Sequence, residues 1–163
     1  MSLRAIFVSK VTLVPTYEGV YVSGSDNTIT VNGLDESETY TGSTDVPVSK
    51  HAEGSKALSS GTATLDLAAL PGQTADETVN ATGLKAQLVK LRNKATNAND
   101  ITVSKGASNG HTLLGSSWEI TLKPGQSVTL KGDEAGPDVA SNNKTLDLTG
   151  TGSQELEYLF VFG

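Results

Sequence analysis

The sequence contains no cysteine, which excludes disulfide bonds, a thiolate nucleophile and cysteine-based zinc or iron–sulfur sites. Aromatic residues are scarce, at 5% of 163 residues, with a single tryptophan. No run approaches the ~18 apolar residues that a membrane span needs. Met1 to Arg4 leads into Ala5 to Val8 without a signal-peptide core. We therefore expect no membrane partner and a chain made in the cytoplasm of the producing cell.

Basic charge is also in short supply. The formal net charge is −6, and no basic run offsets it, so nucleic acid is not an expected partner. One local cluster of cations alternates with apolar residues between Leu84 and Asn93, which indicates the solvated face of a strand. Its members are Lys85, Lys90, Arg92 and Lys94.

Short segments that alternate polar and apolar residues dominate the chain, and each lies beside a turn signal such as Pro124-Gly125. The segment Ala86 to Lys94 is the best helix candidate, yet it fits a strand equally well. Many short strands separated by turns are typical of a β-sandwich or barrel. We therefore predict an all-β fold, a single antiparallel β-sandwich. The clearest strands are Thr62 to Leu67, Glu119 to Leu122, Ser127 to Leu130 and Thr145 to Leu148.

The length favours one domain over residues 1–163, since domains commonly have about 100–200 residues. The strand–turn rhythm is regular over residues 58–163, which we predict to form the core. Residues 1–57 are less regular, and the rhythm loosens between Ser23 and Gly61. This N-terminal part is expected to be either an arm with one or two hairpins or a decorated edge of the sheet.

The two ends contain the most apolar stretches, Ala5 to Val8 and Leu156 to Phe162. The last residues are hydrophobic on both faces of the predicted C-terminal strand. Such a strand is buried on both sides, either within its own sandwich or against another subunit. A chain that ends in its own core is expected to be a complete one-domain protein.

Catalytic candidates are few. His51 and His111 are far apart in sequence, and His111 follows the turn signal Asn109-Gly110, which predicts a polar residue at a strand start. No Gly-x-Ser-x-Gly segment is present, although a Ser-His-Asp triad is a spatial arrangement and stays open. A hydrolase would require His111 to meet a carboxylate in a pocket. Paired carboxylates occur in polar, turn-rich segments, so we predict no catalytic residues and no enzyme.

The sequence signals for metal and cofactor sites are equally weak. Asp26-Asn27 and Asp133-Glu134 with Asp138 offer oxygen ligands for calcium, but Asp and Asn also bond their own backbone in turns, which is the favoured interpretation. No glycine loop precedes a helix to hold phosphate. We predict no metal and no cofactor. Trp118 shares one strand face with Ile120 and Leu122, which favours a place in the core over a sugar platform.

Three motifs in the C-terminal part occur in an order that resembles a known group of proteins. They are Ala81 to Lys85, Asn97 to Asn99 and Lys144 to Gly152. From Leu65 to the C-terminus the chain resembles small structural proteins of tailed bacteriophages and prophages, and jelly-roll-like coat or decoration proteins more generally. The resemblance implies a jelly-roll-like sandwich in a virion, with no catalytic residues and no cofactor.

These observations lead to a hypothesis of a structural protein of a phage-like particle, in the capsid, as a decoration or as another virion component. It would form a homo-oligomer and contact other virion proteins. The alternative is a carbohydrate-binding β-sandwich module, which would show Trp118, Tyr17 and Tyr21 exposed on one concave face. The predicted assembly surface combines the C-terminal strand with an arm from Tyr17 to Gly42. Its named residues are Leu156, Tyr158, Phe160, Phe162, Tyr17 and Tyr21.

Overall fold

The computed structural model describes residues 4–9, 36–44, 47–72, 77–132 and 135–163. All regular structure in these residues is β-strand. None of them belongs to a helix able to span a lipid bilayer. The strands are β1 (Arg4–Ser9), β2 (Glu36–Thr41), β3 (Lys50–Ala57), β4 (Thr62–Asp66), β5 (Leu70–Pro71), β6 (Thr78–Val79), β7 (Ala86–Asn93), β8 (Ile101–Lys105), β9 (Glu119–Leu122), β10 (Ser127–Lys131), β11 (Thr145–Thr149) and β12 (Glu155–Phe162).

Two four-stranded antiparallel sheets form the body of the molecule. Their strand orders are β10-β7-β12-β3 and β4-β11-β8-β9. The pairing is nested: β3 pairs with β12, β4 with β11, β7 with β10, and β8 with β9. Successive pairs lie alternately in the two sheets, which is the strand arrangement of a jelly roll. The predicted all-β sandwich is confirmed.

The main core lies between the two sheets and follows from the period-2 alternation of their strands. In β12 the inward residues stack along the strand: the rings of Tyr158 and Phe160 are 5.6 Å apart, and those of Phe160 and Phe162 are 5.8 Å apart. Strand β12 lies between β7 and β3, so it is interior to its sheet. The apolar C-terminus therefore closes the chain's own sandwich.

One end of the sandwich is closed by a buried amide network. The Asn93 side chain is fully buried and donates to the carbonyl oxygens of Asn99 (3.0 Å) and Leu122 (2.8 Å). Its oxygen accepts a hydrogen bond from Asn97 (2.6 Å), which also bonds the backbone of Glu155. The network thus ties the β7–β8 loop to β9 and β12. Sequence patterns gave Asn97 to Asn99 as a turn but did not reveal this anchoring.

The sandwich begins earlier than the regular rhythm of residues 58–163 indicates. Strand β3 starts at Lys50 and is an edge strand of the first sheet. Only Ala52 is buried on it, so its sequence has no apolar alternation. Its inward neighbour is the ring of Tyr158, whose hydroxyl lies 3.0 Å from where a Cβ on Gly54 would stand. A large side chain on β12 thereby fills the space that β3 leaves.

Candidate functional site

The C-terminal residues predicted for assembly point into the chain's own core. Leu156, Phe160 and Phe162 are 0% exposed and Tyr158 is 5% exposed, all within the main cluster. This corresponds to the alternative in which the strand closes its own sandwich. None of these four side chains is available to a second chain.

The other predicted assembly residues, Tyr17 and Tyr21, lie outside the described residues. So do Asp26-Asn27 and Asp133-Glu134, which offered oxygen ligands for calcium. Of the arm from Tyr17 to Gly42, only residues 36–42 are described. They form β2, which pairs in antiparallel register with β1, from Arg4 opposite Thr41 to Ser9 opposite Glu36. The pair β1–β2 is called the ribbon below.

The ribbon lies on the outer face of the sheet β10-β7-β12-β3. Glu36 and Glu38 contact Lys131 on β10, whereas Tyr40 packs beside Val161 on β12. Strand β2 therefore crosses the sheet strands from the β10 edge towards β3. The ribbon buries a small second core that is separate from the main one. Its members are Tyr40, Val48, Leu88 and Val161, with Ala5 and Phe7 packed against them.

Charged groups hold the β10 end of the ribbon. The Lys131 ammonium donates to Glu36 and, over 2.7 Å, to Glu38. The two carboxylates raise the pKa of Lys131, and Lys131, followed by the Tyr40 hydroxyl, lowers the pKa of Glu38. Burial and the hydrogen bond to Glu38 raise the pKa of Tyr40 to about 12. The Tyr40 hydroxyl therefore stays neutral and donates a hydrogen bond to the Glu38 carboxylate over the whole physiological pH range.

The opposite face of the ribbon exposes apolar side chains. Ile6 is 55% exposed and Val8 is 63% exposed. Within the described residues only one other large hydrophobic side chain is comparably exposed, Leu114 at 47%. Among the described strands, β1 pairs with β2 alone, so none of them covers its second edge. A groove of about 320 Å³ runs beside this edge, with Leu88, Lys90 and Leu159 of the sheet in its lining.

The region around His111 does not supply a catalytic arrangement in the described residues. His111 lies in a loop, not at a strand start, and is fully buried with neither ring nitrogen hydrogen-bonded to a described residue. Burial lowers the pKa of His111. The Pro137 carbonyl opposes this effect without reaching hydrogen-bond geometry. The adjacent cavity of about 140 Å³ has no carboxylate or hydroxyl group among its described lining residues.

Metal and sugar sites also lack their expected groups in the part of the chain that the structure describes. No set of three or more His, Asp or Glu side chains there is arranged to hold a metal. Asp138, one of the carboxylates weighed in the sequence as a calcium ligand and interpreted as a turn residue, pairs with Lys85. Trp118 is half-buried against the main core, and its ring N–H donates to the His111 carbonyl oxygen over 3.1 Å. Trp118 therefore packs against the main core, as the sequence pattern favoured.

Comparisons with known proteins do not identify a relative. No family model matches the chain, and no curated protein or solved structure matches it significantly. The functional inference therefore depends on the fold and on the surfaces described above.

Proposed function

We propose that the chain is a non-catalytic structural protein of a phage-like particle, which acts through homo-oligomeric assembly. It would reside in the virion and contact other virion proteins. The observation that carries the proposal is the nested eight-strand jelly roll of the two sheets. This architecture recurs in viral capsid domains. Fold alone does not determine function, so a surface suited to assembly is also needed.

The ribbon supplies such a surface. Two of the three exposed large hydrophobic residues in the described part of the chain lie on the same face of β1. Exposed apolar side chains beside a free strand edge are typical of surfaces that another chain covers. The sandwich itself is closed and self-sufficient. The same subunit could thus fold alone and add contacts when it assembles.

The carbohydrate-binding alternative would need exposed aromatic rings. Among the described residues, Tyr40 and Tyr158 are buried and Trp118 is half-buried with its N–H bonded. None of these rings forms a flat, open platform for a sugar. Jelly rolls also occur in lectin domains, but no described aromatic ring adds an open sugar-binding platform to this alternative.

The test is the solution mass of the purified protein, measured by light scattering across a concentration series. A closed oligomer of defined stoichiometry is the expected result. A monomer at every concentration would rule out self-assembly as the primary function, and a glycan-binding screen would then be the next experiment.

A further inference from the structure

We propose that the edge of β1 with which no described strand pairs receives strand β9 of a second copy of this chain. This inference rests on the proposed function, because it names the contact through which the subunits would assemble. The contact is heterologous: one copy supplies the edge of β1 and the next copy supplies β9. Such contacts generate rings when the rotation closes.

The edge of β1 lacks the charges that protect other edges of the molecule. Edge strands usually carry lysine or other charges that prevent pairing with another chain. Strand β3 carries Lys50, Glu53 and Lys56, and β10 ends at Lys131. In β1 the only charge is Arg4, at its first residue. Strand addition through main-chain hydrogen bonds is the mode of recognition that such an edge offers.

The sheet residues that line the groove beside this edge determine which side-chain charges the added strand can bring. Thr129, Lys90 and Leu159 are in register across β10, β7 and β12, and all three line the groove. A strand placed about 4.8 Å from β1 would lie above this row. Lys90 is exposed and forms no ion pair with any described residue. The added strand is therefore expected to bring a carboxylate and no cation.

Strand β9 meets these requirements. It ends the sheet β4-β11-β8-β9, so its outer edge is free among the described strands. It carries the exposed Glu119, which has no ion pair within the described residues. The opposite end strand, β4, also carries an acid, but Asp66 is already paired with Lys144 over 2.7 Å.

The outer face of the same sheet has a matching character. The outward strand positions hold three carboxylates and no Lys or Arg. Two of these carboxylates, Glu119 and Asp147, have no ion pair within the described residues, and they complement Lys90 of the groove. These positions are Thr62, Thr64, Asp66, Thr102, Ser104, Glu119, Thr121, Asp147 and Thr149. A second copy docked through β9 would lay this face over the open part of the first sheet.

A single contact of this kind is weak. Strand β1 has six residues and offers an edge about 20 Å long. Pairing along this edge alone buries less surface area than a standard protein–protein interface. Closure of a ring raises the effective concentration of each contact, so many weak edges give a stable particle. We therefore expect assembly that depends strongly on protein concentration.

The experiment measures the assembly midpoint by sedimentation velocity and light scattering. The double variant Ile6→Thr, Val8→Thr keeps β-branched residues at exposed positions and should raise the midpoint concentration by about tenfold or more. The matched control Leu114→Thr removes the third exposed hydrophobic side chain and should leave the midpoint unchanged. Circular dichroism checks that each variant is folded.

A charge exchange tests the partner strand independently. Lys90→Glu should weaken assembly, and adding Glu119→Lys in the same chain should restore it, because each copy then presents the reversed pair. If oligomers form but neither set of variants changes the assembly midpoint, the β1–β9 contact is wrong while the proposed function stands. If the wild-type protein is monomeric throughout, both proposals fail.

Discussion

Replacing Phe160 with alanine is the sharpest test of where the C-terminal strand belongs. Phe160 is 0% exposed, lies on an interior strand, and stacks between Tyr158 and Phe162. Truncating a buried phenylalanine costs about 3–5 kcal/mol, and the loss of two ring contacts favours the upper half of this range. Domains have only about 5–15 kcal/mol of stability, so the variant should be near the limit of folding. Phe160→Asp should not fold at all.

The assay is urea unfolding at two protein concentrations, with Leu159→Ala as the matched control. Leu159 is the next residue of β12 but faces outward into the groove and is only half-buried, so in the monomer its truncation should cost about 1 kcal/mol. A core role makes the Phe160 effect independent of protein concentration, whereas an interface role makes it grow with concentration. A folded Phe160→Asp monomer, or a loss below about 1 kcal/mol for Phe160→Ala, would refute the core assignment.

Three further predictions concern single side chains. Asn93→Ala should lower the free energy of unfolding by about 2 kcal/mol, because the Leu122 carbonyl loses its buried donor and the Asn97 amide loses an acceptor. Asn99→Ala keeps its carbonyl, which also accepts from Gln154, so it should cost little in the same urea assay. Because burial lowers the pKa of His111, the unfolded chain takes up a proton that the folded chain does not as the pH falls. Stability should therefore decrease from pH 7 to pH 5, by at most about 1.4 kcal/mol per pH unit, and His111→Leu should flatten this dependence in urea titrations. Gly61→Ala should lower the melting temperature more than Gly83→Ala. Both glycines have a positive φ, but only at Gly61 would a Cβ lie 2.7 Å from a carbonyl oxygen. Equal losses would mean that backbone strain, and not this steric clash, determines the effect.

The strands of the regular core were predictable because their side chains alternate. Glu119–Leu122 was predicted with the bounds that the structure has, and Ser127–Lys131 differs by one residue at its end. The segment Ala86–Asn93 was ambiguous in sequence and is a strand in the structure. Its residues Lys90 and Arg92 reach solvent, whereas the alternate residues Val89, Leu91 and Asn93 are buried. In each case one face meets a core and the other meets water.

The pairing of these strands was not predictable in the same way. Local patterns contain no information on whether β3 pairs with β12 or with β4, since that choice depends on which faces share a core. Strand β3 was missed altogether because Tyr158 on its neighbour, not its own sequence, fills the space beside it. The apolar run Ala5 to Val8 was noted as hydrophobic, and it lies in β1, but nothing in it indicated β2 as its partner or the sheet face beneath it.

The most apolar stretches at the two ends of the chain therefore have different physical roles. The C-terminal strand β12 is interior to its sheet and points its aromatic side chains into the main core. These side chains therefore determine whether the chain folds. Strand β1 lies on a separate, smaller core, with Phe7 turned inward and Ile6 and Val8 turned to solvent. Substitutions on its outer face should change assembly without changing folding, and substitutions in β12 should do the reverse. Sequence hydrophobicity places both stretches in one class, whereas their burial separates them.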